Sequence, residues 1–117
     1  MITTTKQAVV GNTIPILIAD PRPVVRLGLR TLISAQPDLS VAGEAGEYRT
    51  IPPIMEAKNA GLILLDPEMS DLRGTELLKK LREAYPSTFI VVFSCQRNSA
   101  YMLEAIRNGA HGFLTKD

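Results

Sequence analysis

Five short apolar runs alternate with four segments of helical periodicity, and this alternation limits the fold more than any other feature of the sequence. The runs are Ile14 to Ala19, Leu39 to Ala45, Leu62 to Leu65, Phe89 to Phe93 and Gly112 to Thr115. Pro15 is tolerable near the start of the first run, where a strand can spare an N–H. Between the runs lie Pro23 to Ala35, with Val25, Leu29, Leu32 and Ile33 on one helical face, and a weaker helix from Arg49 to Ala60. Pro23 suits a first helical turn, and Pro52 and Pro53 fit only there. Gly74 to Tyr85 places Leu77, Leu78, Leu81 and Tyr85 together, and Ser99 to Asn108 is followed by Gly109, a residue that commonly closes a helix. The order β-α-β-α-β-α-β-α-β with short connections calls for right-handed crossovers and a parallel sheet. The continuous apolar runs at Leu62 and Phe89 predict strands covered on both faces. A doubly wound α/β sandwich follows, with helices on both faces and function at the carboxyl ends of the strands.

The 117 residues suffice for one domain, with 45% hydrophobic and 21% charged residues. A net charge of +1 supplies no electrostatic reason for this segment to bind nucleic acid or membrane. No apolar run approaches the roughly 18 residues that span a bilayer. The single cysteine, Cys95, cannot form an internal disulfide or supply a zinc site alone, and a reducing, cytoplasmic setting fits it best. Residues 1–13 lack the order of a secretion signal and read as a loose tail before a domain over 14–117.

The polar residues that follow the strands carry the chemistry. Asp20 follows the first strand, Asp66 the third, Ser94 the fourth and Lys116 the fifth. Each alone has an ordinary explanation: a carboxylate after a strand often caps a helix, and a lysine near a terminus is usually solvated. Together, on successive strand ends of one sheet, they should converge at a single edge.

The stretches Leu17-Ile-Ala-Asp20, Leu64-Leu-Asp66-Pro-Glu-Met69 with Gly74, Val91-Val-Phe-Ser94 and Gly112-Phe-Leu-Thr-Lys116-Asp117 resemble response regulator receivers. The helix beginning Pro23-Val-Val-Arg-Leu-Gly-Leu and the stretch Pro37 to Ala45 resemble the NarL/FixJ-like (LuxR-type) group. The likeness runs from Ile14 to Asp117. It implies a flavodoxin-like sheet of order 2-1-3-4-5 and a phosphoryl group accepted on Asp66 from a sensor histidine kinase. It implies also Mg²⁺ and Lys116 as counter-charge, and Ser94 as a donor to a phosphoryl oxygen. Phe113 matches an aromatic switch position, against the simpler reading that it is core. Cys95 stands where a small residue leaves room for the donor, and a plain buried thiol is the expectation for it otherwise.

Three departures from that pattern stand out. Receivers place two adjacent acids after the first strand, and here the pair reads Asp20-Pro21, with Arg22 in place of the usual histidine. The expected metal ligands are then Asp20, Asp66 and Glu68, the last through its carbonyl or, less readily, its side chain. Ser70 stands where proline usually follows methionine. The final helix of a receiver is missing or truncated, which reads as a fragment of a longer protein. Its loss should expose the neighbourhood of Val91, Phe93 and Phe113 and favour a homodimer.

Two functions compete on these residues. One is a phosphoacceptor switch governing a C-terminal DNA-binding output domain. The other is a phosphorylation-independent dimerisation or interaction module with a degraded Mg²⁺ site, which Pro21 and Arg22 favour. An aspartyl phosphatase fits poorly: Glu68 stands where such enzymes need a second aspartate, and His111 precedes the last strand, at its wrong end.

Overall fold

A computed structural model of the chain describes residues 13–117, so all but the last residue of the expected tail lies outside the described residues. The strands are β1 (Ile14–Ala19), β2 (Leu39–Ala45), β3 (Leu62–Leu65), β4 (Phe89–Ser94) and β5 (Gly112–Thr115). The helices are α1 (Pro23–Ser34), α2 (Ile51–Lys58), α3 (Gly74–Ala84) and α4 (Ser99–Arg107). All strands are parallel, in the order β2-β1-β3-β4-β5. The topology matches the sequence expectation, with two residues following β5.

The two faces of the sheet are covered unequally. On one, Leu17, Ile63, Leu65, Ile90 and Val92 pack with Ile51 and Met55 of α2, Leu77, Leu78 and Leu81 of α3, and Ala105 of α4. On the other, Ile16 and Ile18 pack under Ile33 and Leu29 of α1, and Leu62 and Leu64 lean against that smaller cluster. The expectation that β3 and β4 are sealed on both sides is therefore corrected. Along β4 burial alternates: Ile90, Val92 and Ser94 are buried, Val91 and Phe93 half-buried, and Phe89 is exposed. The physical reason is that, among the described residues, α1 is the one helix on that face of the five strands. Val91, Phe93 and Phe113 are each half-buried, and the most open apolar side chain of β5 is Leu114. Leu32 was also expected on the buried face of α1, but it is 66% exposed beside the shallow groove lined by Val25, Leu29 and Phe93.

Local chemistry explains the element ends. Asn98 caps α4, its side-chain oxygen accepting from the amides of Ala100 (2.7 Å) and Tyr101 (3.2 Å). Asn59 closes α2 in the left-handed region (φ 49°), three residues before the strand begins at Leu62 and one short of the expected end. The segment before Pro52 and Pro53 enters as a 3₁₀ turn, Tyr48–Thr50, and the α-helix starts only at Ile51. Prolines bring no N–H, and the first turn is where a helix can spare them, because those amides have no intrahelical acceptor. Gly109 sits at φ 120° against Arg82, where a Cβ would meet the arginine's Cγ at 2.0 Å. That position needs glycine both for its backbone and for the close approach.

Candidate functional site

The site forms where β1 and β3 end side by side, with Ala19 opposite Leu65. One residue on, Asp20 and Asp66 remain tied to the ladder: the amide of Asp20 donates to Ala45 O (2.9 Å) and that of Asp66 to Ala19 O (2.8 Å). Both carboxylates are therefore held by main chain at the carboxyl edge and are shut from water, at 1% and 3% exposure. Lys116 reaches them from β5, whose extension bonds its amide to Ser94 O (2.9 Å). Its ammonium donates to Asp20 Oδ2 (2.6 Å) and to Asp66 Oδ2 (2.5 Å), and it lies 5.6 Å from the Phe93 ring centre. Burial alone would lower the pKa of Lys116, but the hydrogen bonds and charges of Asp20 and Asp66 more than offset it and raise the value.

Ser94 stands buried at the end of β4, beside the strand end that carries Asp66 and bonded through its carbonyl to the backbone of Lys116. Its hydroxyl accepts from the amide of Gln96 (3.1 Å), which leaves its own proton available to a new acceptor. The four strand-end residues thus share one edge, with Asp20, Asp66 and Lys116 in direct contact.

The loops supply what periodicity could not indicate. Arg22 lies with its guanidinium 3.5 Å from Asp66 Oδ2, while its amide donates to Asp20 Oδ1 (2.8 Å). One turn later on the same helical side, Arg26 donates to the carbonyl of Asp20 (2.6 Å) and sits 3.5 Å from Glu44. A Cβ on Gly46 would meet that guanidinium at 2.9 Å, so the glycine makes room for it. The four-residue spacing of the two arginines was the available signal. Tyr101, on α4, stacks edge-on with Phe113 (5.8 Å, 86°). Burial raises its phenol, the charges of Glu68 and Asp66 push the same way, and the Ser94 hydroxyl works against them. Tyr101 therefore links the Ser94 end of the site to the expected switch residue, and nothing in its sequence position announced that.

Other expectations are placed differently. The side chain of Glu68 is turned outward, 48% exposed and 3.8 Å from Arg73, while its amide donates to Asp66 Oδ1 (2.9 Å). Cys95 is exposed, which corrects the buried-thiol reading. It follows Ser94 beyond the last rung of β4, where the chain leaves the sheet for the loop to α4. His111 is at the amino edge, away from the site, its Nδ1 accepting from the amide of Ile90 (3.0 Å).

Every carboxylate oxygen of the pair already has a donor. Asp20 is satisfied by the Arg22 amide and Lys116, and Asp66 by the Glu68 amide, Lys116 and Arg22. Among the described residues no three His, Cys, Asp or Glu side chains converge as a metal cluster. Two carboxylates face two cations, with no net charge left to attract a divalent ion, and the residues present do not fit Mg²⁺.

A family model for the response regulator receiver domain matches residues 16–117. The nitrate/nitrite response regulator NarL of Escherichia coli is 41% identical over 102 residues, covering 87% of this chain and 47% of that protein. The transcriptional regulatory protein YxjL of Bacillus subtilis is 38% identical over 106 residues, covering 91% of this chain and 49% of its own. The chain thus spans about half the length of the curated relatives it matches. Among solved structures, the response regulator domain of Thermotoga maritima CheB superposes with a TM-score of 0.81 at 32% identity, over 90% of this chain and 79% of that one. The matched span contains all four strand-end residues, and on these grounds the chain belongs to the response regulator receiver domains.

Proposed function

We propose that this domain accepts a phosphoryl group on Asp66 from a sensor histidine kinase and relays the change to a DNA-binding output domain, as a cytoplasmic homodimer. The observation that carries the reading is a buried aspartate held by main chain and touched by an ammonium at 2.5 Å. Such a carboxylate is a positioned nucleophile, and its neighbour is the positive charge that phosphoryl transfer requires. Lys116 would follow the incoming oxygens, and Ser94 would turn its free proton to one of them. Phe113 and Tyr101 would then repack and alter the α4–β5 surface, a shift between two populations. Receiver domains as a class interact with histidine kinases and bind Mg²⁺ beside the acceptor. The DNA-binding output is carried over from the relatives, which are transcriptional regulators.

Intact-mass analysis after incubation with acetyl phosphate tests this. One added phosphoryl mass is expected, absent from Asp66→Asn. Retained labelling in that variant would name another acceptor. A phosphorylation-independent interaction module is the second reading, favoured by the cations already covering Asp66. A chain that takes up no phosphoryl mass under any condition would establish it.

A further inference from the structure

We propose that Arg22 supplies the positive charge for which receivers otherwise recruit a divalent ion, so that Asp66 is phosphorylated without metal. The inference rests on the reading of Asp66 as phosphoacceptor. Three observations carry it. The guanidinium of Arg22 stands 3.5 Å from Asp66 Oδ2, on the oxygen that Lys116 also contacts. Pro21, beside it, offers no side-chain oxygen, and its ring leaves the backbone little choice of φ. The site is electrically balanced by two aspartates against Arg22 and Lys116, with every carboxylate oxygen already bonded to a donor.

The exposure of Arg22 matters as much as its charge. Its side chain is 58% exposed, while that of Asp66 is 4% exposed. The guanidinium therefore covers the buried carboxylate from the solvent side, the direction from which a phosphodonor must arrive. A planar fork with several N–H groups can bind two oxygens of one phosphoryl group at once. It can also swing outward with the donor and settle on the product without crossing the core.

In the transfer, a carboxylate oxygen of Asp66 attacks phosphorus and a new P–O bond forms. The bond from phosphorus to the leaving atom breaks, and its electron pair departs with that atom. With acetyl phosphate the leaving group is acetate; with a phosphohistidine it is the imidazole nitrogen, which leaves with the P–N electron pair and takes up a proton from solvent to give neutral imidazole. The equatorial oxygens would then lie against the Arg22 guanidinium, the Lys116 ammonium and the Ser94 hydroxyl. That arrangement puts two positive charges and one neutral donor around the charge of the transition state.

The test is labelling by acetyl phosphate with Mg²⁺ or with excess EDTA, read by intact mass over time, on the wild-type chain, Arg22→Ala, Arg22→Lys and Asp66→Asn. The expected result is a wild-type rate that differs by less than about threefold between the two conditions. In EDTA, Arg22→Ala should lose about 100-fold, the loss typical when one preorganised donor is removed. Arg22→Lys should retain part of the rate. Circular dichroism checks that each variant folds. Restoring the acid with Pro21→Asp in the Arg22→Ala background should make labelling depend on Mg²⁺. Labelling of the wild type only with Mg²⁺ would overturn the inference and leave the phosphoacceptor reading intact. So would metal-free labelling that Arg22→Ala does not slow. No labelling in either condition would overturn both.

Discussion

Lys116 neutralises two carboxylates that are both closed to water, and its own side chain is only 9% exposed. Removing one partner from a buried ion cluster leaves uncompensated charge, which costs roughly 3–5 kcal/mol. Lys116→Ala should lower the unfolding free energy by about that amount in urea titrations, and Asp20→Asn in the same background should recover part of it. An unchanged midpoint in Lys116→Ala would show that the two aspartates are solvated instead. The contacts also set a pH dependence. The folded pKa of Lys116 is raised above its ordinary 10.5. Its stabilisation is thus complete below that value and is lost as pH rises through the folded pKa. At this scale Asp20, Asp66, Ser94 and Lys116 were legible in the sequence, because each follows an apolar run directly. Arg22 was legible as a positive charge after Asp20-Pro21, but its contact with Asp66 was not, nor were Arg26 and Tyr101, because a side chain leaving a loop or a helix can point several ways.

Among the elements, the loop between β3 and α3 is tied to the start of α2. Asp71 accepts from the amides of Tyr48 (2.8 Å) and Arg49 (3.0 Å), which open the 3₁₀ turn, and thereby satisfies two donors that have no acceptor within the turn. Burial is the largest single influence and opposes its ionisation, but the amides of Tyr48, Arg49 and Asp71 itself, with the Arg49 charge, together lower its pKa. Asp71→Ala removes the equivalent of a helix cap and should cost about 1 kcal/mol. Faster amide exchange at Tyr48 and Arg49 is the specific sign, and unchanged exchange there would refute the tie. The same loop carries Pro67 and Glu68 past Asp66, so this anchor also bears on the site. Strand and helix bounds were legible to within a residue or two, since periodicity is a local property. The 3₁₀ onset and the irregular register between Ile16 and Leu17 against β2 were not, because partner strands and not local sequence decide them.

Across the whole molecule, the two edges of the sheet respond to opposite ends of the pH scale. Lys116 at the carboxyl edge contributes on the alkaline side, and His111 at the amino edge on the acid side. Burial lowers the pKa of His111 below 6.5, with Arg82 adding to the effect, and its Nδ1 must stay unprotonated to accept from Ile90. The unfolded chain then binds more protons as pH falls below 6.5, and folding stability declines through that window down to the folded pKa. His111→Gln should flatten the slope of urea stability against pH there, and an unchanged slope would assign it to other groups. The unequal covering of the sheet is also a property of the whole. Among the described residues α1 is the one helix over one face, and Phe93 and Leu114 keep apolar surface open on that side.

The sequence by itself determined the order of elements, the parallel sheet and the four polar residues at its carboxyl edge. Apolar period and strand-end position are written in neighbouring residues, and short right-handed crossovers leave few alternatives. Only the tertiary structure decided which charges meet. It turned the Glu68 carboxylate away towards Arg73, brought Arg22 over Asp66, and set Tyr101 against Phe113. Those contacts join segments far apart in the chain, and the reach and rotamer of a long side chain depend on what the neighbouring strands leave open.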